Sequence, residues 1–464
     1  MVARSPYYRD RPLRTFYTPP FQPSIYALPP NNFLSESIKP IIESLVRRIP
    51  KQTLRLVIAV DPVIMDGQPT FQVTFKQPKH DGFETKVSLA IRLALPEKPA
   101  YQIVFTEAKR RIFKEPVLST RNYSAFRFPG QSIGVDGLHW GMGTVGGYIR
   151  FTDPDLEDSI FGMTCHHVLQ PTRHMDIIDS GCQGIWSQHL NKIGILHEEV
   201  KWNMKGTDKI VTPAALDHSN SIQEARKRAA KLYVEASSIT KKPLEKSNQA
   251  AGEATIEKRI QAAEERLKFF QLYDCEFGKI SITSGYQVDP RAGNSIDWGL
   301  VKLSETSEAA NICIYPDSGW GGRTERAILT VGDPVPGEEV CKIGRSTNFT
   351  SGIVSSALHA IDLERNGIIT TEWAIVGDKN LPFSTNGDSG SWVINIRHEV
   401  VGMIIGYNGL VSYMTPIKRV IEDIETTTGK KVVLHGNKGQ TWPWAALKNQ
   451  KSKNLSGSTG CYKL

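Results

Sequence analysis

The chain has no run of roughly 18 apolar residues, so no segment reads as a membrane-spanning helix. Its first residues, Met1-Val2-Ala3-Arg4-Ser5-Pro6, lack the apolar stretch of a secretory signal. The expectation is an intracellular protein, cytoplasmic rather than nuclear. Cysteine is sparse: Cys165, Cys182, Cys275, Cys313, Cys341 and Cys461 form no C-x-x-C pair. That speaks against zinc and dithiol redox motifs, and six in 464 residues is thin for a disulfide scaffold. The glycine-bounded turn near Gly344 lacks phosphate-loop spacing, and no metal-ligand constellation stands out, so neither a cofactor nor a metal is expected. A strong charge bias is also missing. The net charge of +8 comes with no zinc-finger or aromatic RNA-binding pattern, and no nucleic-acid partner is expected.

What is present divides along the chain. Residues 1–34 are rich in Pro, Tyr and Arg without a period and read as an irregular arm. Residues 35–116 read as a small α+β unit. Ile38, Ile41, Ile42, Leu45 and Ile49 recur at helical spacing, and strands are expected at 54–60, 70–75, 86–95 and 101–105. From 134 to 426, short apolar runs and glycine turns dominate, as in folds built from many short strands. A charged, helix-patterned insertion interrupts them at 221–272. Ser221 and Glu224 suggest a capping box, and Ile256, Ile260, Ala263, Leu267 and Phe270 fall on one face. An amphipathic helix is expected at 416–426, followed by a basic tail, 427–464, with Trp442-Pro443-Trp444 as a docking patch. Cys461 is fourth from the end, as in a prenylation signal, but Lys463 departs from the aliphatic pattern.

Four segments carry chemistry in a fixed order. An apolar strand, Phe161-Gly162-Met163-Thr164, runs into Cys165-His166-His167-Val168. Asp297 opens the apolar run Trp298-Gly299-Leu300-Val301. A glycine-bounded polar turn follows at 344–352. Then comes Asn386-Gly387-Asp388-Ser389-Gly390. A serine hydroxyl is a weak nucleophile and needs an adjacent base. Histidine titrates near neutrality and can take and return the proton. A buried carboxylate fixes the imidazole tautomer. Glycine allows a turn that aims the N–H groups of Gly387 and Ser389 at one oxyanion.

The order His, Asp, Ser and the Gly-Asp-Ser-Gly tetrapeptide resemble the chymotrypsin-like (trypsin-fold) serine peptidases. The chain is especially similar to divergent fungal members, in which the histidine sits in Thr-Cys-x-His-Val and the aspartate in Asp-Trp-x-Leu. The resemblance covers roughly 134–426. It implies a mainly β fold of two six-stranded antiparallel barrels, here with an inserted helical hairpin and a small N-terminal α+β unit. It implies a serine endopeptidase acting on polypeptides, with Ser389 as nucleophile, His167 as general base and Asp297 as orienting carboxylate. His166 is the rival base and Asp289 the rival acid. The base of the substrate pocket is expected at Phe383 and Ser384, with Ile405, Gly406 and Tyr407 as a wall. With no acid at the base, small or uncharged side chains are favoured.

In zymogen-activated relatives, the aspartate corresponding to Asp388 pairs with a newly made N-terminal amine. No matching start precedes the barrel here, so Asp388 is expected to find another partner. A second reading stays open: a catalytically silent scaffold that binds a protein partner through the N-terminal unit, the insertion 221–272 or the tail.

Overall fold

The computed structural model describes residues 25–26, 36–54, 56–75, 82–95, 100–107, 120–124, 126–138, 141–156, 158–169, 209–239, 246–285, 287–305, 307–316, 323–362, 369–378, 381–409 and 411–436. The tail beyond 436, with its tryptophans and Cys461, and Cys182 lie outside them, as does most of the N-terminal arm.

The N-terminal unit contains α1 (Ile38–Arg48), β1 (Val57–Met65), β2 (Gln68–Phe75), α2 (Phe83–Ala94) and β3 (Gln102–Glu107). Strands β1 and β2 form a hairpin, and α2 crosses over so that β3 pairs parallel to β2. Ile25–Tyr26 of the arm pair with the end of β1.

Residues 86–95, expected as a strand, are largely α2. The sequence there alternates apolar and other residues over Val87, Leu89, Ile91 and Leu93, which mimics a strand. The helix instead buries Phe83, Val87, Ala90 and Ile91 at helical spacing and leaves Leu89 and Leu93 exposed. With Ile41, Leu45, Phe71 and Val73 these residues form the unit's own core. Each of these side chains larger than alanine contributes about 1.5–3 kcal/mol when fully buried.

The rest of the fold is mainly β and has the chymotrypsin-like double-barrel plan. In the first half, β4 (Ser132–Val135), β5 (Gly143–Thr144), β6 (Gly147–Phe151), β7 (Phe161–Thr164), β8 (Lys209–Val211), β9 (Glu276–Thr283) and β10 (Gly299–Leu303) form one curled sheet. Among the described residues it curls as a half-barrel. In the second half, β11 (Glu339–Gly344), β12 (Asn348–Asp362), β13 (Ile369–Gly377), β14 (Trp392–Asn395), β15 (Glu399–Tyr407) and β16 (Val411–Pro416) run in the order β11-β14-β15-β16-β13-β12. The β11–β12 pairing closes that ring.

Helix α3 (His166–Leu169) follows β7. Helices α4 (Ala215–Ile239) and α5 (Lys246–Leu272) form the inserted hairpin. Helix α4 begins earlier than the capping-box pattern suggested. Ser221 lies inside it and donates to the Asp217 carbonyl at 3.0 Å, so it is not a cap. Helix α6 (Ile417–Thr428) buries Ile417, Val420 and Ile424.

Residues 432–434, expected as tail, are β17 (Val432–Leu434), which pairs with β6 and extends the first sheet. Two apolar residues and the buried Leu434 supply the reason. Next to it, buried His435 lies with Nε2 2.9 Å from the Ala309 carbonyl, and burial lowers its pKa to about 4. The native state therefore holds it neutral, while the unfolded chain takes a proton as pH falls below the ordinary value of about 6.5. That linkage removes about 3 kcal/mol of stability between pH 6.5 and 4. Urea unfolding from pH 7 to 4 should show His435→Gln losing that much less than the wild type.

The N-terminal unit joins the second barrel by strand addition: Ala59 and Val60 of β1 pair with Ile361 and Ala360 of β12. The next residue, Asp61, is fully buried. Its carboxylate accepts from His359 Nδ1 at 2.8 Å, the Tyr413 hydroxyl at 2.8 Å and Asn408 Nδ2 at 2.5 Å. A buried carboxylate is tolerated only when its lone pairs are met in this way. Asp61 thus fixes the β15–β16 hairpin from outside the barrel.

Candidate active site

Strand pairing brings the acid to the imidazole. In the antiparallel β7–β10 ladder Thr164 lies opposite Gly299, so the chain leaving β7 runs beside the chain entering β10. Asp297 Oδ1 accepts the His167 backbone N–H at 3.0 Å, and Oδ2 lies 2.5 Å from His167 Nδ1. One carboxylate therefore holds both the first turn of α3 and the ring it presents. Asp297 is buried, whereas the His167 side chain is 23% exposed. Burial pushes the Asp297 carboxyl up, but the charge and hydrogen bonds of His167, with His166 nearby, outweigh it and hold the carboxyl below its usual range.

His166 is buried, and the imidazole that meets Asp297 belongs to His167. Asp289 lies in its own turn against Arg291 and Arg419.

Cys165 adds a third potential ligand atom within 4.8 Å of the other two. The set fits a hydrogen-bonded pair better than a metal centre. Burial and then Asp297 raise the Cys165 thiol, keeping it protonated, and Sγ donates to the Ile404 carbonyl. The 2.5 Å imidazole–carboxylate contact leaves no room for an ion between its atoms.

Ser389 sits on the turn before β14 and is partly exposed. Its carbonyl accepts the Thr144 N–H at 2.9 Å, and Thr144 Oγ1 donates to the Gly387 carbonyl at 2.9 Å. Gly143 is squeezed between the two partners: a Cβ there would lie 2.4 Å from Val168 and 2.9 Å from the Ser389 carbonyl. Val168 directly follows His167, so the segment that carries the imidazole and the Ser389 carbonyl flank the same glycine. Among the described residues, Ser389 Oγ makes no hydrogen bond. Nucleophile–base contacts are often long in enzymes without substrate.

The turn exposes two amides. The N–H groups of Asp388 and Gly390 are taken by the carbonyls of Thr385 and Ile404, at 3.0 and 2.8 Å. Among the described residues, those of Gly387 and Ser389 donate to nothing. Gly387 has φ +97°, a conformation that requires glycine.

Asp388, fully buried, has the partner the sequence left open. Oδ1 accepts the N–H groups of Ser346 and Thr347, at 2.8 and 3.2 Å. Oδ2 accepts from Thr347 Oγ1 and the Thr385 N–H, at 2.8 and 2.9 Å. Lys342 Nζ lies 3.4 Å from Oδ2, both side chains having no exposure. Burial lowers the Lys342 pKa, and Asp388 opposes that shift.

Phe383 and Ser384 are buried, at 1% and 0% exposure. Phe383 packs with Val354, Ile375 and Met414 in the closed barrel, beneath the Lys342 ammonium at 5.7 Å. Ser384 is tied to Ser412 Oγ by its N–H (2.9 Å) and its hydroxyl (2.7 Å). Ile405 is buried, and Gly406 and Tyr407 are partly exposed along β15.

Sequence reasoning missed Lys342, Arg345 and Glu372. Glu372 is fully buried and accepts the Ser295 N–H at 2.5 Å, two residues before Asp297. Burial raises its pKa well above the usual carboxylate range, and Asp297 acts in the same direction. Ser295 also offers its carbonyl to Thr415 Oγ1, so the strand carrying Asp297 is fixed from both sides.

Strand order gives the mainly β, chymotrypsin-like plan, and on it the His167–Asp297 pair and the Ser389 turn form the candidate site. Residues 293–432 match the family model described as Peptidase family S64, a segment that includes Asp297 and Ser389 but not His167. Among solved structures, the chain is similar to Thermobifida fusca Protease A at 10% identity, covering 66% of this chain and 98% of that one, with a TM-score of 0.32. It is also similar to Nocardiopsis Protease at 11% identity, covering 66% and 97%, TM-score 0.32. A glutamic acid specific serine protease matches at 11% identity, covering 66% and 100%, TM-score 0.31. Among the described residues, no helix is long and apolar enough to cross a membrane.

Proposed function

We propose that the chain is a serine endopeptidase that hydrolyses polypeptides through an acyl-enzyme at Ser389. The observation that carries this reading is the His167–Asp297 pair at 2.5 Å, held beside the Ser389 turn. Asp297 takes the proton-bearing Nδ1, which leaves Nε2 to act as base. On substrate binding, Ser389 Oγ attacks the scissile carbonyl and passes its proton to His167 Nε2. The N–H groups of Gly387 and Ser389 receive the developing oxyanion. The imidazolium then returns the proton to the leaving amine, and water repeats the cycle on the ester.

The substrate pocket lies between Ser384 and the wall Ile405–Gly406–Tyr407, with Phe383 behind it. No acidic side chain belongs to this set, which favours small or uncharged side chains before the scissile bond. A peptide library showing a sharp Lys or Arg preference would contradict that assignment.

Labelling with a fluorophosphonate probe tests the reaction itself. Wild-type protein should be labelled and Ser389→Ala should not. If folded wild-type protein stays unlabelled, the scaffold reading replaces this one.

A further inference from the structure

We propose that the inserted helical hairpin is part of the catalytic apparatus, with Asp217 and Arg345 as positioning residues for the oxyanion turn. The inference rests on the peptidase reading above and assigns the insertion a role within it.

Asp217 lies in the first turn of α4, where the insertion leaves the β sheet. Its carboxylate takes a two-pronged contact from Arg345: Nε to Oδ2 at 2.6 Å and Nη2 to Oδ1 at 2.5 Å. Asp217 is 2% exposed and Arg345 is 7% exposed. Oδ2 also accepts the Ser132 hydroxyl, and Ser132 Oγ in turn accepts the Ala214 N–H at 3.2 Å. The carboxylate is thus set both by the half-barrel and by the root of the insertion. A planar guanidinium held along one edge by both oxygens of a carboxylate has one orientation, which an ammonium would not have.

That orientation bears on catalysis because of what the other edge of Arg345 touches. Nη1 lies where a Cβ on Gly387 would be only 2.4 Å away. It also donates to Ser346 Oγ at 3.4 Å, and Ser346 Oγ donates to the Asn386 carbonyl at 2.6 Å. The Arg345 backbone N–H donates to Thr144 Oγ1 at 3.0 Å, the hydroxyl that holds the Gly387 carbonyl. The peptide unit offering the Gly387 amide is therefore backed on one side by a side chain anchored in α4. Peptide units in such turns can rotate, and rotation would turn the donor away from the oxyanion. The chain from Asp217 through Arg345 to Gly387 opposes that rotation, so the root of α4 sets how well the transition state is held.

The test separates binding from the chemical step. Fluorophosphonate labelling yields a maximal rate and a half-saturating concentration, and the phosphonyl oxygen occupies the oxyanion position. Asp217→Asn should lower the maximal rate at least tenfold, approaching the 10²–10³ loss of a whole donor, with half-saturation changed less than about twofold. The double variant Asp217→Leu with Arg345→Met removes the pair without stranding a charge, and such replacements often leave stability unchanged. It should fold and show the same split. Arg345→Lys keeps the charge but loses the fork, and should show the split in smaller measure. Wild-type labelling must be present first, since its absence overturns the peptidase reading itself. If the wild type is labelled and the folded double variant reacts at the same maximal rate, the positioning role is wrong.

Discussion

Asp297→Asn should fold like the wild type and cleave a peptide substrate about 10⁴-fold more slowly. The size of the effect follows from the two contacts Asp297 makes. Oδ1 accepts the His167 main-chain N–H, and Oδ2 faces Nδ1. An asparagine must keep its oxygen on the main-chain N–H, because the alternative sets two donors against each other. Its amide nitrogen then faces Nδ1 and donates to it. The imidazole must become an acceptor at Nδ1 and carry its proton on Nε2, where it cannot accept the proton of Ser389. The change therefore acts on tautomer rather than on packing, since the side chains have the same size and the site loses a buried charge. Thermal unfolding should shift little while kcat/KM collapses. A rate within tenfold of the wild type would show that His167 is not held by Asp297 during turnover.

The candidate site was legible in the sequence to the extent that the chemistry assigned to it is local. His167, Asp297 and Ser389 each stand beside an apolar run that becomes β7, β10 or β14, and glycines mark the turn. Residues acting across the fold left no such mark. Lys342 looks like an ordinary lysine within Val340-Cys341-Lys342-Ile343, yet the β11–β14 pairing carries it into the interior. Arg345 and Asp217 are far apart in the chain, and only the fold, which sets the end of β11 against the root of α4, joins them. The same limit explains the error over 86–95, where alternation satisfied a strand pattern while the unit's core selected the helical face. The join between the two parts depends on Ala59 and Val60 pairing with Ile361 and Ala360. Nothing within β1 alone could disclose it. The N-terminal unit read as separate because it carries its own core, and the structure makes its first strand an edge extension of the closed barrel.

Lys342→Met should lower stability by about 3 kcal/mol and slow cleavage by about 10²–10³-fold in the protein that remains folded. Breaking a fully buried ion pair typically costs about 3–5 kcal/mol, because the surviving charge is stranded. The lower end applies here, since the N–H groups of Ser346, Thr347 and Thr385 and the Thr347 hydroxyl still reach Asp388. The kinetic loss follows from position: Asp388 lies between the two residues whose amides are assigned to the oxyanion. Any movement that rehydrates its carboxylate rotates both. The pair also bears on activation. With Lys342 supplying the cation, the chain should be active intact, and blocking its amino terminus should leave the rate unchanged. Activity that arises only after a cut just before β5 would overturn this. Such a cut would free Gly143 and Thr144, but Thr144 already holds the Ser389 carbonyl with its N–H and the Gly387 carbonyl with its hydroxyl. Drawing that strand inward to deliver an amine to Asp388 would break the contacts that shape the turn, so the same geometry that lets Lys342 serve Asp388 opposes the alternative.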